Sequence, residues 1–330
     1  MAPGAASPFK VVAVTGATGF VGGWILRRLT EAGFQVRALT RRPSPDAASQ
    51  QVTWIPGSLE DEASLGVLLD QADAVVHCAG AIKARSRDEF FDVNAGGTRR
   101  LAGVASAMVK PPRFILLSSL AAREPHLSSY AASKRAAEKV LRAFSPRLPA
   151  LILRPPAVYG PGDMETLRIF KLVEQGLFVA PASGGKVSLI HADDLARAVA
   201  GVLQAGGQAE AVPGQPVEFD DGRPGGYSWP EIAAAAGAAM GKTPRILRLP
   251  GAALYMVGAA GSLGSLLTGR PSVVSIEKMR EFLHPDWVAA GPAPECFKPL
   301  WDIEKGFADA VKWYASRGLL KSNRQVDLSP

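Results

Sequence analysis

Near the amino terminus the chain reads V-V-A-V-T-G-A-T-G-F-V-G over residues 11–22, and a helical pattern continues through Leu29. An apolar run, a glycine turn and a helix in this order are typical of the first β-α unit of a dinucleotide-binding sheet. Gly16 allows a tight bend, Gly19 lets the backbone approach a pyrophosphate, and Gly22 permits close helix packing. The amides at the helix start attract phosphate. The sequence therefore predicts a dinucleotide site here, although the glycine spacing differs from the usual G-x-G-x-x-G.

A tyrosine and a lysine stand four residues apart in S-S-Y-A-A-S-K, residues 128–134. On a helix this spacing places Tyr130 and Lys134 on one face, one turn apart. Because a nearby ammonium favours the phenolate, we expect the pKa of Tyr130 to fall from its free value of about 10 towards working pH, where acid-base catalysis is most effective. The same spacing is common on solvated helix faces, so the pair indicates catalysis only together with the glycine turn.

Strands and helices alternate along the first half of the chain. Apolar runs predict strands near residues 10–15, 34–40, 51–56, 73–78, 113–118 and 150–154, with helices between them and a helix from Ser128 to Phe144 around Tyr130. This order predicts an α/β fold with a parallel, doubly wound Rossmann sheet. We place a dinucleotide-binding core at residues 1–160 and a smaller, mainly helical substrate lobe at residues 161–330, with some elements returning to the core.

The second half is predicted to be mainly helical. Helical patterns lie near residues 163–176, 193–204, 228–240, 250–267 and 272–283, and a last helix runs from Asp302 to Leu319 with the aspartate as its cap. The glycine- and proline-rich stretch 205–226 is predicted to form a loop or short strands. Because this half is apolar, we expect it to line a pocket for a greasy or aromatic substrate, although the same side chains could simply pack the lobe.

The glycine turn and the tyrosine–lysine pair together resemble the extended branch of the short-chain dehydrogenase/reductase superfamily, which carries T-G-x-x-G-x-x-G and Y-x-x-x-K. The likeness covers most of the chain. Further stretches agree with this branch in order along the sequence: Gly57–Leu59, His77–Gly80, Asp92–Asn94, Gly97-Thr98, Ser118-Ser119, Arg154–Asp163 and Ile190–Asp194. So many ordered matches are hard to obtain by chance.

The resemblance implies a role for each residue of the predicted active site. Ser119 would hold the substrate oxygen, Tyr130 would transfer the hydroxyl proton while hydride moves at the nicotinamide, and Lys134 would bind the ribose and depress the pKa of Tyr130. A serine that ends a strand is also a common turn residue. The cofactor site implied by the resemblance comprises Gly16, Thr18, Gly19, Phe20, Val21, Arg41, Arg42, Ser58, Leu59, Ala79, Gly80, Asn94, Tyr130, Lys134, Pro155 and Val158.

The end of the second strand decides the cofactor, because a carboxylate there binds the ribose of NAD whereas arginine accommodates the additional phosphate of NADP. This segment reads V-R-A-L-T-R-R over residues 36–42 and contains no acid. Arg41 and Arg42 can form charge-assisted bonds to a 2′-phosphate. We therefore predict NADP, with NAD as the alternative. Ser58 departs from the aspartate that the family often places near the adenine.

Two reaction types agree with the resemblance: net oxidation or reduction of an alcohol or ketone, and nucleotide-sugar epimerisation or dehydration with a recycled cofactor. Sugar-modifying members generally have a longer segment between the serine and the tyrosine, whereas here Tyr130 follows Ser119 by only eleven positions. The acid pair of dehydratases is missing, and Glu124 is the one nearby carboxylate. We therefore favour an NADP-dependent reductase of a hydrophobic ketone, or the reverse oxidation, similar to the hydroxysteroid dehydrogenase and dihydroflavonol reductase groups. A non-catalytic, cofactor-binding subunit is the third alternative.

Composition agrees with a globular enzyme and gives no sign of nucleic-acid binding. The 330 residues are 47% apolar, and the net charge of +7 is diffuse apart from short pairs such as residues 41–42 and 99–100. No long basic run alternates with aromatic residues, so we expect no nucleic-acid partner. Cys78 and Cys296 lack metal-ligand spacing and are predicted to be reduced thiols, so we expect no metal site. The first ten residues contain no apolar leader core, and the predicted location is cytoplasmic.

An uncharged stretch of about membrane-spanning length runs from Leu249 to Leu267. Pro250 and four glycines dilute its hydrophobicity, so we predict a buried or substrate-covering helix, with peripheral membrane contact as the alternative. The main partner that we expect is a small, apolar substrate molecule. Dimerisation through paired helices is common in the family that the chain resembles, which implies a homodimer.

Overall fold

The computed structural model of the chain describes residues 7, 9–42, 50–206, 215–268, 274–291 and 293–321, and for residues 265–268 it describes the backbone alone. Its strands are β1 (Val11–Thr15), β2 (Gln35–Thr40), β3 (Val52–Pro56), β4 (Ala74–His77), β5 (Arg113–Leu117), β6 (Ala150–Arg154), β7 (Ala157–Tyr159), β8 (Leu177–Pro181), β9 (Lys186–Val187), β10 (Leu189–His191), β11 (Val217–Glu218), β12 (Tyr227–Ser228), β13 (Arg245–Leu249) and β14 (Asp286–Trp287).

The α-helices cover most of the chain between these strands. They are α1 (Phe20–Glu31), α2 (Glu62–Leu69), α3 (Arg87–Phe91), α4 (Gly97–Ala107), α5 (Ser129–Ala143), α6 (Leu167–Glu174), α7 (Ala192–Gln204), α8 (Trp229–Ala239), α9 (Gly251–Thr268), α10 (Ile276–Leu283) and α11 (Ile303–Ser316). A π-helical turn, Asp92–Gly96, joins α3 to α4, and a 3₁₀ turn spans Leu120–Arg123.

Seven parallel strands form the central sheet in the order β11-β6-β5-β4-β1-β2-β3. The predicted α/β fold with a doubly wound Rossmann sheet is therefore confirmed. Successive residues of β1 belong to different buried clusters, Val12 and Val14 to one and Ala13 to another, because side chains of a strand alternate between the two faces of a sheet. The strand order reverses next to β1, which is where such sheets bind dinucleotides.

Helices cover both faces of the sheet. On one face α1 and α7 share a buried apolar cluster that includes Leu29 and Val199. On the other face α2, α4 and α5 share a cluster that includes Leu68, Leu101 and Leu141. Burial on both faces explains why the strands read as continuous apolar runs rather than as alternating patterns.

Aromatic side chains form the core of the C-terminal lobe. Tyr159, Phe170, Phe307 and Tyr314 contact one another with ring centroids 5.1 to 5.8 Å apart. As predicted, Asp302 caps the last helix, and its carboxylate accepts from the Lys305 amide at 2.8 Å. These contacts hold α6 and α11 together beneath the lobe's short strands.

Short strands in this lobe depart from the predicted helical pattern. β8 pairs with β13, β7 pairs with β10, and β9 lies between β12 and β14. Helix α6 begins at Leu167 rather than at residue 163, because Gly160 and Gly162 take positive φ values of 139° and 96°. Asp163 then accepts hydrogen bonds from the amides of Glu165 and Thr166. This turn delays the helix by about one turn relative to the prediction.

Elements beyond residue 160 return to the core. Strand β11 extends the central sheet, and α7 packs along α1. The guanidinium of Arg28 on α1 donates two hydrogen bonds of 2.6 Å to the carboxylate of Asp193 on α7. The division of the chain at residue 160 stays a prediction.

The uncharged stretch 249–267 forms the end of β13 and most of α9. Leu254 is buried, but Tyr255, Met256, Val257 and Leu263 are 41 to 68% exposed. The prediction that this helix is buried is therefore wrong for the side that carries these residues. No helix in the described ranges combines the length and the hydrophobicity that a bilayer crossing requires.

Candidate active site

The glycine turn joins β1 to α1 with a backbone geometry that side chains would disrupt. Gly16 has a φ of +76°, and a Cβ there would lie 2.6 Å from the backbone nitrogen of Ala79. A Cβ on Gly22 would lie 1.9 Å from the carbonyl oxygen of Gly16. Neither distance admits a carbon atom, so larger residues at these positions would push apart the turn, α1 and the loop after β4.

The start of α1 has the chemistry of an anion site. In the described structure Gly19 caps the helix without a side-chain hydrogen bond, and the first turn contains no acid. Amides that no side chain caps, together with the positive end of the helix dipole, favour a phosphate group here. The turn therefore fits the pyrophosphate of a dinucleotide.

A cleft of about 630 Å³ opens where the central strands end. It brings together Ser119, which follows β5, and Tyr130 and Lys134, which lie on α5. The predicted site residues that line it are Gly16, Gly19, Phe20, Val21, Gly80, Ser119, Tyr130, Lys134, Pro155 and Val158. The structure thus assembles residues that are far apart in sequence around one space.

Three polar side chains form the reactive wall of this cleft. Ser119 and Tyr130 both line the cleft, and the serine hydroxyl acts to lower the pKa of the phenol. The ammonium of Lys134 is buried and donates to the carbonyl oxygen of Leu117 at 2.6 Å. A hydroxyl, a phenol and an ammonium are therefore available to one bound molecule, which is the requirement for proton transfer to or from an oxygen.

The pKa of Tyr130 is raised, so the prediction that Lys134 lowers it is wrong. Burial is the largest cause of the rise, and the charge of Glu281 adds to it. The hydroxyl of Ser119 and the charge of Lys278 oppose the rise without cancelling it. Burial lowers the pKa of Lys134 itself to about 8. The phenol of Tyr130 is consequently protonated at neutral pH and able to donate.

Helix α10 is bound to the start of α5 by two serine–glutamate contacts. The hydroxyl of Ser128, the cap residue of α5, donates to Glu281. The hydroxyl of Ser129 donates to Glu277 at 2.7 Å. These charge-assisted bonds fix the C-terminal lobe to the helix that carries the predicted catalytic tyrosine.

Lys278 on α10 is a site residue that the sequence did not reveal. Its ammonium pairs with Glu281 at 2.8 Å and lies 5.3 Å from the centroid of the Tyr130 ring. This distance is within the range of a cation–π contact. The I-E-K-M-R-E pattern at residues 276–281, a charged run after a long uncharged segment, was the one available signal.

A second cavity of about 470 Å³ adjoins the cleft at Tyr130. Ile82, Tyr130, Glu165 and Lys278 line both spaces. The rest of the second wall is mostly polar and includes Lys83, Arg85, Ser86, Arg87, Ser128, Ser129, Ser262, Ser275 and Glu277. A ligand whose reacting group reaches Tyr130 can thus place hydroxyl or amide groups among these side chains.

Asn94 lies in the π-helical turn and ties the loop after β4 to α5. Its Oδ1 accepts from the Ala81 amide at 2.8 Å, and its Nδ2 donates to the Ala81 carbonyl and to the hydroxyl of Ser133. A Cβ on Gly80 would lie 2.9 Å from this Oδ1. Asn94 is only 2% exposed and is not part of the cleft lining, so it positions the wall of the site.

The remaining predicted cofactor residues lie outside the cleft lining: Thr18, Arg41, Arg42, Ser58, Leu59 and Ala79. Arg41 and Arg42 are exposed and follow β2 directly, at the same sheet edge as the glycine turn on neighbouring β1. Leu59 packs against Gly97, and its carbonyl accepts from the guanidinium of Arg100. Contact between the two arginines and a 2′-phosphate stays a prediction.

A buried ion network continues one turn beyond Lys134. Glu138 is fully buried and accepts from Arg154 twice at 2.7 Å and from the Ser118 hydroxyl at 2.6 Å. Arg154 also donates to Glu218 at 3.0 Å. Burial acts to raise the pKa of Glu138, but Arg154 outweighs it and the pKa is lowered. The network joins α5, β5, β6 and β11 next to the reactive wall.

Two titratable side chains at the end of β4, His77 and Cys78, stay neutral. His77 lies between the hydroxyls of Thr15 and Thr98, and burial together with the charge of Lys134 lowers its pKa to about 3. Burial raises the pKa of the Cys78 thiol to about 12. Within the described ranges no cluster of three His, Cys, Asp or Glu side chains is arranged to hold a metal ion.

Comparison with known proteins relates this architecture to one family. Residues 12–212 match the NAD dependent epimerase/dehydratase family. The chain is 41% identical over 317 residues to the ceramide reductase of Caulobacter vibrioides (strain NA1000 / CB15N). The aligned region covers 95% of this chain and 97% of that protein. It is also 32% identical over 124 residues to dihydroflavonol 4-reductase of Arabidopsis thaliana, about one third of each chain.

Solved structures show the same fold. The crystal structure of the Bordetella bronchiseptica enzyme WbmH in complex with NAD+ superposes with a TM-score of 0.69. The match covers 93% of this chain and 99% of that chain at 21% sequence identity. At this identity the likeness establishes a common architecture.

Proposed function

Because the chain belongs to the NAD-dependent epimerase/dehydratase family of the extended short-chain dehydrogenase/reductase superfamily, we propose that it is an NADP-dependent reductase of a hydrophobic, ceramide-like ketone. The observation that carries the proposal is the single cleft in which Ser119, Tyr130 and Lys134 meet the glycine turn. A non-catalytic, cofactor-binding subunit would not need these three side chains for any reaction. Oxidation of the corresponding alcohol is the same reaction in reverse.

The cofactor would lie between the glycine turn and the reactive wall. The uncapped start of α1 suits its pyrophosphate, and Arg41 and Arg42 at the end of β2 would pair with a 2′-phosphate. Pro155 and Val158, which line the cleft after β6, would contact the nicotinamide. NADPH bound in this way would supply a hydride to the carbonyl carbon.

The protein's own contribution is to hold the carbonyl oxygen and protonate it. Ser119 would donate a hydrogen bond to that oxygen, and Tyr130 would give it the phenolic proton, so that the ketone becomes a secondary alcohol. The raised pKa of Tyr130 favours this direction, because the phenol keeps its proton at neutral pH until the oxygen gains charge. Lys278, whose charge over the ring acts to lower the pKa of Tyr130, would stabilise the resulting phenolate, and Lys134, with a pKa of about 8, would bind the ribose.

The proposed substrate class follows from the relative and from the walls of the site. A protein named ceramide reductase shares 41% of its residues with this chain over nearly the whole of both. An alkyl group in the cleft would contact Ile82, Leu120, Val187 and Trp287. Amide and hydroxyl groups of the substrate would bind serine hydroxyls in the adjoining cavity. A long-chain amide with a ketone near its polar end matches both surfaces.

A panel of substrates tests the proposal. The purified chain would be incubated with NADPH and a short-chain oxidised ceramide, a 3-oxoalkanoate, UDP-glucose or UDP-glucuronic acid, and loss of absorbance at the nicotinamide band would be followed. We expect turnover with the ceramide-type ketone and at least roughly a hundredfold less with the Tyr130→Phe variant. Tyr255→Phe, the same change at an exposed tyrosine outside the cleft, is the control and should keep wild-type activity.

The alternative reaction gives a different result in the same panel. A nucleotide-sugar epimerase or dehydratase first transfers a hydride from the sugar to oxidised cofactor and later returns it, so with NAD+ or NADP+ in place of NADPH it would convert UDP-glucose or UDP-glucuronic acid without net reduction of the cofactor. Conversion of a nucleotide sugar, or near-normal turnover by Tyr130→Phe, would overturn the proposal.

A further inference from the structure

The outward side of α9 is an uninterrupted apolar stripe. Residues 252, 255, 256, 259, 260 and 263 are all exposed, and their spacing is that of a single helix face. They are Ala252, Tyr255, Met256, Ala259, Ala260 and Leu263. A water-facing helix side normally carries polar residues, so this stripe, which we call the α9 face, is the reverse of the usual pattern.

The inward side of α9 is fixed to α10. A Cβ on Gly258 would lie 2.8 Å from Met279 and 3.0 Å from the carbonyl oxygen of Ser275, so the two helices are in close contact. The hydroxyl of Ser262 accepts from the Ile276 amide at 3.2 Å. The α9 face is thus the outer surface of a packed helix pair.

The sequence around this helix pair is rich in basic residues. Between residues 242 and 283 the sequence has six Lys or Arg and two acids, Glu277 and Glu281. Both acids are engaged inward by the serines of α5. Arg245 and Arg248 on β13, which directly precedes α9, and Arg280 on α10 are exposed, so the elements next to the apolar stripe present three positive charges.

We propose that the α9 face docks on a lipid bilayer that contains anionic lipids. An amphiphilic surface with an apolar centre and a basic surround is complementary to the acyl and headgroup regions of such a bilayer. A second copy of the chain fits less well, because a symmetric contact would bring the same arginines of both copies together.

The position of the α9 face connects docking to the site. Ser262 of α9 and Ile276 of α10 line the second cavity, whose wall continues to Tyr130. A cleft of about 630 Å³ is the size that holds one ordinary small ligand. The long alkyl chains of a ceramide-like substrate would therefore extend beyond the cleft, and docking would let them remain in the bilayer. The docking surface goes beyond the proposed reaction and is defined by exposed residues outside the cleft.

Vesicle co-sedimentation tests the docking. The full chain would be mixed with phosphatidylcholine vesicles with and without phosphatidylglycerol. We expect the wild type to pellet with the anionic vesicles, and the Met256→Glu/Leu263→Glu variant to bind at least about tenfold more weakly. The matched control is Val67→Glu/Val109→Glu, which places the same charges at exposed apolar positions elsewhere and should bind like the wild type.

Two further measurements keep the test decisive. Thermal unfolding and NADPH-dependent reduction of a water-soluble, short-chain ketone should be the same for both double variants and the wild type, because the α9 face is outside the cleft. Failure of that reduction in every protein would count against the proposed function and leave the docking result intact. A wild type that stays in the supernatant at low salt overturns the docking proposal. So does a lipid-free dimer that becomes monomeric in the α9 variant, since the occupant is then a second copy.

Discussion

At the scale of single residues, Tyr130 has two lysines near it that act differently. Lys134 stands at the predicted helical spacing, yet its ammonium donates to the Leu117 carbonyl and is not among the groups that shift the pKa of Tyr130. Lys278, which is 148 positions away in sequence, does lower that pKa from its place over the ring. Helical spacing in a sequence gives proximity, whereas the pKa is set by burial and by all charges around the group.

Replacing Lys278 by methionine is expected to raise the pKa of Tyr130 further. In the proposed mechanism Tyr130 must be deprotonated to accept a proton during alcohol oxidation, so the rate of that direction should rise as pH passes the pKa of Tyr130. Loss of the Lys278 charge disfavours the phenolate and should move this rise upward by on the order of one pH unit. The pH profile of alcohol oxidation measures it.

The control for that profile is Lys171→Met, which removes an exposed lysine of α6. Ser119, Glu281 and Lys134, the other polar groups around Tyr130, are unchanged in both variants. An identical pH profile for Lys278→Met and wild type would show that Lys278 does not tune the phenol.

Arg41 and Arg42 are the residues that we propose as determinants of the cofactor preference. If they pair with a 2′-phosphate, the Arg41→Gln/Arg42→Gln variant should bind NADPH roughly ten- to a hundredfold more weakly and bind NADH as before. Fluorescence titration of both cofactors measures the change. Arg99→Gln/Arg147→Gln, which removes the same charge from exposed positions, is the control. Equal weakening for both cofactors would argue against the phosphate contact.

At the scale of secondary-structure elements, the Rossmann core and the helices of the lobe are predicted closely, whereas most short strands of the lobe are not. The six predicted core strands each overlap an observed strand, because a strand buried on both faces leaves a continuous apolar run in the sequence. β13, by contrast, is stabilised by its pairing with β8, which lies some seventy positions earlier in the sequence. The local hydrophobic pattern of β13 does not indicate such a distant contact. The sequence predicts the helix α10 but not its position over α5, which depends on contacts with Ser128 and Ser129.

The ion network of Glu138 makes stability depend on pH. Its pKa in the folded chain is below the ordinary value of 4.5, so its contribution is fully present above that pH and is lost as pH falls through the lowered value. Glu138→Gln leaves Arg154 without its main anion and should reduce the free energy of unfolding at neutral pH by about 3 kcal/mol. The variant should also lose less stability on acidification.

Urea unfolding at neutral pH and at pH below 4.5 measures both effects. Glu60→Gln, the same change at an exposed position, should follow the wild type. Equal stability of Glu138→Gln and wild type at neutral pH would mean that the buried network adds nothing to the folded state.

At the scale of the whole molecule, the site is assembled from two parts of the chain. The core supplies the glycine turn, Ser119, Tyr130 and Lys134, all of which the sequence motifs predicted. The lobe supplies Lys278, Glu281 and Trp287, which no motif marked. Motifs record chemistry that is shared with relatives, whereas the substrate wall is formed by tertiary packing that a single sequence does not display.

The cofactor site is easier to predict from the sequence than the substrate-binding wall is, because the cofactor site depends on local structure. A glycine turn against a helix start is a local structure, set by a few adjacent residues such as Gly16 and Gly22. The second cavity needs α3, α5, α9 and α10 to meet. Its serine- and arginine-rich wall became visible only in the folded chain.

Transfer of deuterium from NADPH that is doubly deuterated at the reactive nicotinamide carbon tests the central claim most directly. The wild type would be incubated with this cofactor and a short-chain, ceramide-type ketone, and the product examined by mass spectrometry and NMR. We expect one deuterium on the new carbinol carbon for each NADPH oxidised. An alcohol without deuterium at that carbon, or conversion of the substrate with no net oxidation of NADPH, would contradict it.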